Sequence, residues 1–307
     1  MKYAVLGAGA LGSVVGGLIA RNGLDVTLWD VNDTHINAVN NNGLKLDIAD
    51  ASEIISVPAC RPEDGEEVDA IILLTKTLHT HAALGVVREH IDAGTMVLSL
   101  QNGLGNAERV TEMVPPDQTC YGCTMMPGRF LGPGHVASPT DGKAVFRALT
   151  PAGAVKAADI AIQGAGFSLK QDQEQTDQII WQKAAFNCAM NAITAMQGGR
   201  IEFLSASKDG VALARDVAKE TVMVANASGI SANLDAVYAQ MDRALANHQA
   251  HKPSMLQDME AGRLTEIDAL CGEVARQADL HGIEAPINKT LAVLVALKTS
   301  VQQENAR

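Results

Sequence analysis

Hydrophobic positions in the first half of the chain come as short aliphatic and β-branched runs, Tyr3 to Leu6, Val26 to Trp29, Ala70 to Leu74 and Met96 to Leu100, separated by stretches with helical spacing. This alternation is the signature of βαβ units around a parallel sheet. Between residues 119 and 150 the pattern changes to short apolar segments broken by Pro127-Gly128, Gly132-Pro133-Gly134 and Asp141-Gly142, which predicts hairpins at a sheet edge. A helix over Ala152 to Gln163 and a strand near Phe167 to Leu169 then close this part of the chain. From Glu174 onward nearly every window has a helical period and strand signals vanish, so an all-α second domain is expected. Breakers at Gly198-Gly199, Ser228-Gly229, Pro253 and Gly282 to Pro286 divide it into several helices.

Length and composition agree with two domains. A chain of 307 residues with 47% hydrophobic content buries a full core and at ordinary domain sizes splits in two, here as residues 1–170 and 171–307. Twenty-four Lys and Arg against 35 Asp and Glu give a formal charge of -11, without the basic excess that attraction to polyphosphate needs, so nucleic acid is not an expected partner. The five cysteines are odd in number and scattered, which fits a reducing compartment, and a cytoplasmic location is expected. The apolar run Ala4 to Ala20 resembles a secretory signal only superficially: five of its residues are glycine, and Arg21-Asn22-Gly23 after it reads as a helix end. No other stretch approaches the roughly 18 apolar residues of a membrane span.

The first strand runs into Gly7-Ala8-Gly9-Ala10-Leu11-Gly12 and then an apolar helix. Gly7 permits the sharp turn, Gly9 leaves phosphates room to approach, and Gly12 lets helix pack on strand, while unpaired N–H groups at the helix start face the anion. The motif follows a strand, opens a helix and precedes a second strand that ends in Asp30, the context of a Rossmann dinucleotide-binding domain. Cofactor-binding residues are therefore expected at Gly7, Gly9, Ala10, Leu11, Gly12 and Asp30. A carboxylate at Asp30 accepts from a ribose diol and repels a 2′-phosphate, so NAD(P)H with NAD favoured is the expected cofactor. The opposing possibilities are that Asp30 merely caps the turn Asn32-Asp33-Thr34, and that Lys76 supplies a positive charge nearby. Thr75-Lys76 and Gln101-Asn102-Gly103 follow two further strands, at the edge where ligands bind, so these amides and the lysine are candidates for contacts to nicotinamide, ribose or substrate.

In the second domain the helix Gln178 to Met196 is mostly apolar, yet Lys183, Asn187 and Asn191 recur every four residues along one face. A solvated face is the ordinary explanation. Asparagine is a poor interior helix residue, however, and a polar line with one lysine suits a small anionic carbonyl compound. A further cluster runs His251-Lys252-Pro253-Ser254-Met255-Leu256-Gln257-Asp258, then Thr265-Glu266-Ile267-Asp268. Taken alone, Ser254 reads as a helix cap and Glu266 as a first-turn carboxylate.

With these residues in order, the chain resembles the ketopantoate reductase (2-dehydropantoate 2-reductase) family over nearly its whole length: the glycine motif, Gln101-Asn102-Gly103, Trp181 with Lys183, Asn187 and Asn191, Ser254 to Asp258, Thr265 to Asp268, and Gly282-Ile283 with Pro286. The resemblance implies that Lys183 is the general acid, that Asn187, Asn191 and Ser254 hold the substrate, that Glu266 anchors it and orients Lys183, and that Asn102 sits by the nicotinamide. It implies hydride transfer to the C2 carbonyl of a 2-oxo acid, with protonation of the developing alkoxide. Burial would lower the lysine pKa and Glu266 would raise it.

The chain departs from that family at three places. Asp30-Val31 stands where members carry an arginine that grips a 2′-phosphate, His251 stands where an asparagine is common, and Ile201 replaces a polar residue. These departures point toward an NAD-linked dehydrogenase of another 2-hydroxy acid as the alternative within the family. From another class, the alternative is a dinucleotide sensor without catalysis, which would have no use for Lys183 with Glu266. Cys120-Tyr121-Gly122-Cys123 lacks a second pair and lies in an expected strand, His79, His81, His248 and His251 lack metal-site context, and Met125-Met126 reads as core. No metal is expected. The expected partners are a small 2-oxo or 2-hydroxy acid and a second copy of the chain through the helical domain.

Overall fold

The computed structural model describes residues 1–158, 160, 168–172, 175–247 and 250–305. The chain divides into two compact units, Met1–Gln101 with Asn106–Thr176, and Asn102–Gly105 with Asp177–Arg307. The expected single boundary at 170 thus falls at 176/177, and a four-residue excursion belongs with the helical unit.

The strands of the first unit are β1 (Lys2–Leu6), β2 (Asp25–Trp29), β3 (Leu44–Ile48), β4 (Ala51–Ile55), β5 (Ala59–Cys60), β6 (Ala70–Leu73), β7 (Met96–Ser99), β8 (Thr119–Thr124), β9 (Arg129–Gly132), β10 (His135–Ser138), β11 (Lys143–Ala148) and β12 (Ser168–Gln171). Among the described residues they form an eight-stranded sheet in the order β12-β11-β8-β7-β6-β1-β2-β5 and a four-stranded sheet in the order β4-β3-β10-β9. In the large sheet β11 runs antiparallel to β8 and the other pairings are parallel. The expected helix from Ala152 is Pro151–Lys156, and its expected end at Gln163 lies outside the described residues, as does Phe167 of the expected last strand.

The central strands are covered on both faces, as their unbroken apolar runs require. Tyr3 and Val5 pack with Val14, Val15, Leu18 and Ile19 of the helix Ala10–Arg21, whereas Ala4 and Leu6 join Leu84 and Val110 on the opposite face. Truncating a fully buried member such as Leu18 to Ala costs about 2–5 kcal/mol. Of the expected hairpins at a sheet edge, β9 and β10 form one, antiparallel at the edge of the small sheet, whereas β8 and β11 pair antiparallel inside the large sheet. β4 escapes the apolar pattern because four of its five residues are exposed.

In the second unit the helix Thr176–Gln197 runs through the core, with Ala184, Ala185, Cys188, Ala189, Ala192 and Ala195 buried. Small side chains let neighbouring helices approach it closely, and the sequence breakers coincide with helix ends at Gln197, Ala227 and His281 and with the helix start at Ser254. Its last carbonyls are capped by the Lys298 ammonium, which donates to Ala195 O at 2.8 Å and also to Met196 O. The Glu220 carboxylate accepts from Ile287 N (3.1 Å) and Asn288 N (2.9 Å) and so caps the final helix, Pro286–Asn305. Among the described residues no helix is long and apolar enough to cross a membrane.

Candidate active site

The order of the large sheet reverses between β1 and β6, and in such sheets ligands bind outside the carboxyl ends at this point. The glycine turn stands there. Gly7 has φ +94°, its N–H donates to Trp29 O at 2.9 Å, and a Cβ on it would fall 2.5 Å from Thr75 N. A Cβ on Gly12 would meet Gly7 O at 2.1 Å, whereas one on Gly9 would meet nothing within 4 Å. Gly7 and Gly12 are thus required by the fold itself, and Gly9 borders open space. Gly9 is also the N-cap of the helix Ala10–Arg21 and offers no side-chain cap, so the first N–H groups of this positive helix end lack a capping side chain, and Gly128 packs against the backbone of Ala10 and Leu11. These features fit a pyrophosphate.

Beneath this turn lies a residue that the sequence pattern did not single out. His35 is 1% exposed; its Nδ1 accepts from Gly134 N at 2.9 Å, so Nε2 carries the proton and faces Ser13 Oγ at 2.9 Å. Ser13 Oγ in turn donates to Ala8 O at 2.6 Å. Burial lowers the His35 pKa, with Asp30 acting weakly the other way. A neutral histidine thereby ties the glycine turn to the small sheet.

Asp30 follows β2, and its Oδ1 accepts from Asn32 N at 2.9 Å. The turn-capping role is real, but it occupies one oxygen; the helix Asp33–Asn42 itself is capped by Asn32, which accepts from His35 N. Lys76 follows β6 at the same edge and is half-buried. Gln101 is not a ligand group. It is 3% exposed and its amide donates to Thr75 O (2.9 Å) and Thr80 Oγ1 (2.9 Å) while Ser99 Oγ donates to it (3.0 Å), which fastens the ends of β6 and β7 together.

In the helical unit Asn102, Asn187, Asn191, Ser254, Met255, Asp258, Glu266 and Leu270 line one narrow recess. Asn191 is 9% exposed, so the asparagine line is not a solvated face. Ser254 caps nothing: it is the first residue of its helix, Ser254–Glu260, and makes no side-chain cap bond. Glu266 precedes a π-helical turn, Asp268–Gly272, rather than opening an α-helix. Asp258 is buried in the wall and accepts from Arg263 Nε at 3.0 Å. Asn102 reaches the recess through a specific fit. Gly103 has φ +91° with its Cβ position 2.8 Å from Ala269, and Leu104 N–H donates to Ala269 O, within the π turn, at 2.8 Å. Arg276 braces that turn through Asp268 (Nη1 to Oδ1, 2.9 Å) and Glu273 (Nη2 to Oε2, 2.8 Å).

The family models for ketopantoate reductase PanE/ApbA and for its C-terminal part match residues 3–151 and 175–299. The chain belongs to the ketopantoate reductase family. A 2-dehydropantoate 2-reductase of Streptococcus pyogenes is 30% identical over 98% of this chain and 99% of the relative, and one of Pyrococcus horikoshii is 33% identical over 98% of each. Among solved structures, a D-mandelate dehydrogenase with NADH and anilino(oxo)acetate is similar at TM-score 0.91 and 27% identity, covering 98% of this chain and 99% of that one. A PanE/ApbA family ketopantoate reductase from Ralstonia eutropha JMP134 is similar at TM-score 0.87 and 30% identity, covering 99% and 100%.

As a ketopantoate reductase family member the chain is an oxidoreductase of a NAD(P)H-using family. Lys183 lies one helical turn before Asn187 on the same face and is half-buried; it is not among the residues that line the recess. His251 is exposed, and Ile201, buried at 2%, donates its N–H to His251 O at 3.3 Å. Cys120 and Cys123 are buried free thiols of β8, and burial pushes the Cys120 thiol up to about 12. Met126 is core, whereas Met125 is 47% exposed; His248 lies outside the described residues. Among the described residues no group of three His, Cys, Asp or Glu could hold a metal ion.

Proposed function

We propose that the chain reduces a compact 2-oxo acid, 2-dehydropantoate or a close analogue, to the 2-hydroxy acid, with NADH preferred to NADPH. The observation that carries the reading is the convergence of Asn102, Asn187, Asn191, Ser254 and Glu266 on one small recess. Gly7, Gly9, Ala10, Leu11 and Gly12 hold the pyrophosphate, Asp30 accepts from the adenosine ribose diol, and Lys76 stands by the phosphate edge. The bound dinucleotide supplies the hydride for C2. The amides of Asn187 and Asn191 and the Ser254 hydroxyl hold the substrate carboxylate and carbonyl, and Asn102 closes the recess beside them. Lys183 Nζ gives a proton to the carbonyl oxygen, and Glu266 orients that ammonium and accepts from the substrate hydroxyl. Asp258 is paired with Arg263, which weakens its repulsion of an acid in the recess.

The five free thiols support a cytoplasmic setting. Exposed Val293, Leu297 and Val301, four residues apart on the last helix, support a homodimer through the helical unit. Oxidation of a bulkier 2-hydroxy acid with NAD is the second reading, favoured by Asp30 and by the NADH-bound mandelate dehydrogenase likeness. Parallel assays of NADH and NADPH consumption on 2-dehydropantoate and on benzoylformate, with the reverse reactions, decide between the two. Turnover of neither acid in either direction would refute both.

A further inference from the structure

The carboxyl ends of β2 and its neighbour β5 hold a charge arrangement with a consequence for cofactor choice. Trp29 pairs with Cys60, and Asp30 N–H donates to Cys60 O at 3.2 Å. Arg61 therefore stands beside Asp30 as the first residue beyond the neighbouring strand, at the sheet edge where the adenosine ribose of a dinucleotide lies. A guanidinium there is the ordinary device for gripping a 2′-phosphate. Here it is committed elsewhere. Arg61 Nε donates to Asp33 Oδ1 at 2.8 Å and Nη2 to Asp33 Oδ2 at 2.6 Å, a bidentate pair, while Nη1 lies 3.5 Å from Glu63 Oε1. Every nitrogen of the fork thus faces a carboxylate.

We propose that Asp33 is a specificity-determining residue: by holding Arg61 in this pair it withholds a guanidinium beside Asp30 from a 2′-phosphorylated ribose and so reinforces selection of the unphosphorylated dinucleotide. This rests on the dinucleotide reading of the glycine turn. Arg61 makes no contribution to the unphosphorylated ligand, and Asp33 acts on selectivity only through Arg61. Releasing the guanidinium converts the edge from one that repels a 2′-phosphate into one that pairs with it.

The test measures binding without turnover, by calorimetric titration of adenosine 5′-diphosphate and adenosine 2′,5′-bisphosphate into the wild type, Asp33→Ser and the double variant Asp33→Ser with Arg61→Ala. Asp33 is 61% exposed and its helix keeps the Asn32 cap, so the substitution leaves the fold intact. Asp33→Ser is expected to raise affinity for the 2′,5′-bisphosphate about tenfold, and the double variant to lose that gain. An unchanged affinity in Asp33→Ser, or a gain that survives loss of Arg61, overturns the proposal while 5′-diphosphate binding shows the site itself intact. If the wild type binds neither nucleotide, the dinucleotide reading falls and this inference falls with it.

Discussion

Gly9→Ala separates what the fold needs from what a ligand needs. Gly9 sits at φ -67° and ψ -153°, a conformation alanine adopts, and its Cβ would touch nothing within 4 Å. Losing glycine freedom in the unfolded chain stabilises by about 0.4–1 kcal/mol, and alanine in place of glycine at an N-cap costs about as much. The two offset, so the free protein should melt within about 3 °C of wild type, given roughly 2–4 °C per kcal/mol for a unit of this size. A methyl group in that space pushes a pyrophosphate off the helix N–H groups. Each charge-assisted bond lost removes about 1.5–3 kcal/mol, and at 1.4 kcal/mol per tenfold NADH should bind about 10- to 100-fold more weakly by fluorescence titration. Gly12→Ala is the contrasting control. Its Cβ would lie 2.1 Å from Gly7 O, against backbone that cannot yield, and overpacking costs about 1–3 kcal/mol or more, so this variant should melt several degrees lower even without ligand. NADH bound by Gly9→Ala within threefold of wild type would refute the placement of the phosphates.

Lys183→Ala should lower turnover by about 10²–10⁴, the span of general acid catalysis, and leave the NADH dissociation constant within twofold; undiminished turnover removes Lys183 as proton donor. Gly103→Ala places a side chain at φ +91° and 2.8 Å from Ala269, a strain of about 1–3 kcal/mol that should undock Asn102 and raise KM for the acid about tenfold, measured by steady-state kinetics; unchanged KM would show that Asn102 is not held by this fit. His35 is neutral in the folded state because burial depresses its pKa, so its contribution is complete above the ordinary histidine value near 6.5 and is lost as pH falls below it, where the unfolded chain takes the proton first. The melting temperature of wild type should therefore drop more between pH 7.5 and 5.5 than that of His35→Gln, and equal drops would contradict the assignment.

The residues legible in the sequence were those whose type conflicts with their surroundings. Asn187 and Asn191 interrupt an apolar helix, and a buried amide there must be satisfied by something, which is why spacing alone flagged a face that the structure turns into a recess wall. The parallel strands were legible for the opposite reason, since β1, β6 and β7 are buried on both faces and read as unbroken apolar runs. β3 alternates Leu44, Leu46 and Ile48 but, like exposed β4, was not read as a strand. His35 left no signal because its partner, Gly134, is distant in sequence.

The excursion Asn102–Gly105 shows where one-dimensional reading stops. Its Asn-Gly pair is indistinguishable in sequence from a common turn, and the carbonyl that holds it, Ala269, lies in a π turn far along the chain. A π turn widens the helix by one residue and disturbs the regular pairing of its carbonyls, so the irregularity after Glu266 gives the Gly103 loop a place to dock. Arg276, bound to both Asp268 and Glu273, keeps that irregular turn from relaxing into ordinary helix. Two recess residues, Glu266 and Leu270, flank the start of this turn and a third, Asn102, is delivered by it, so the shape of the recess depends on a backbone defect that no side-chain pattern announces.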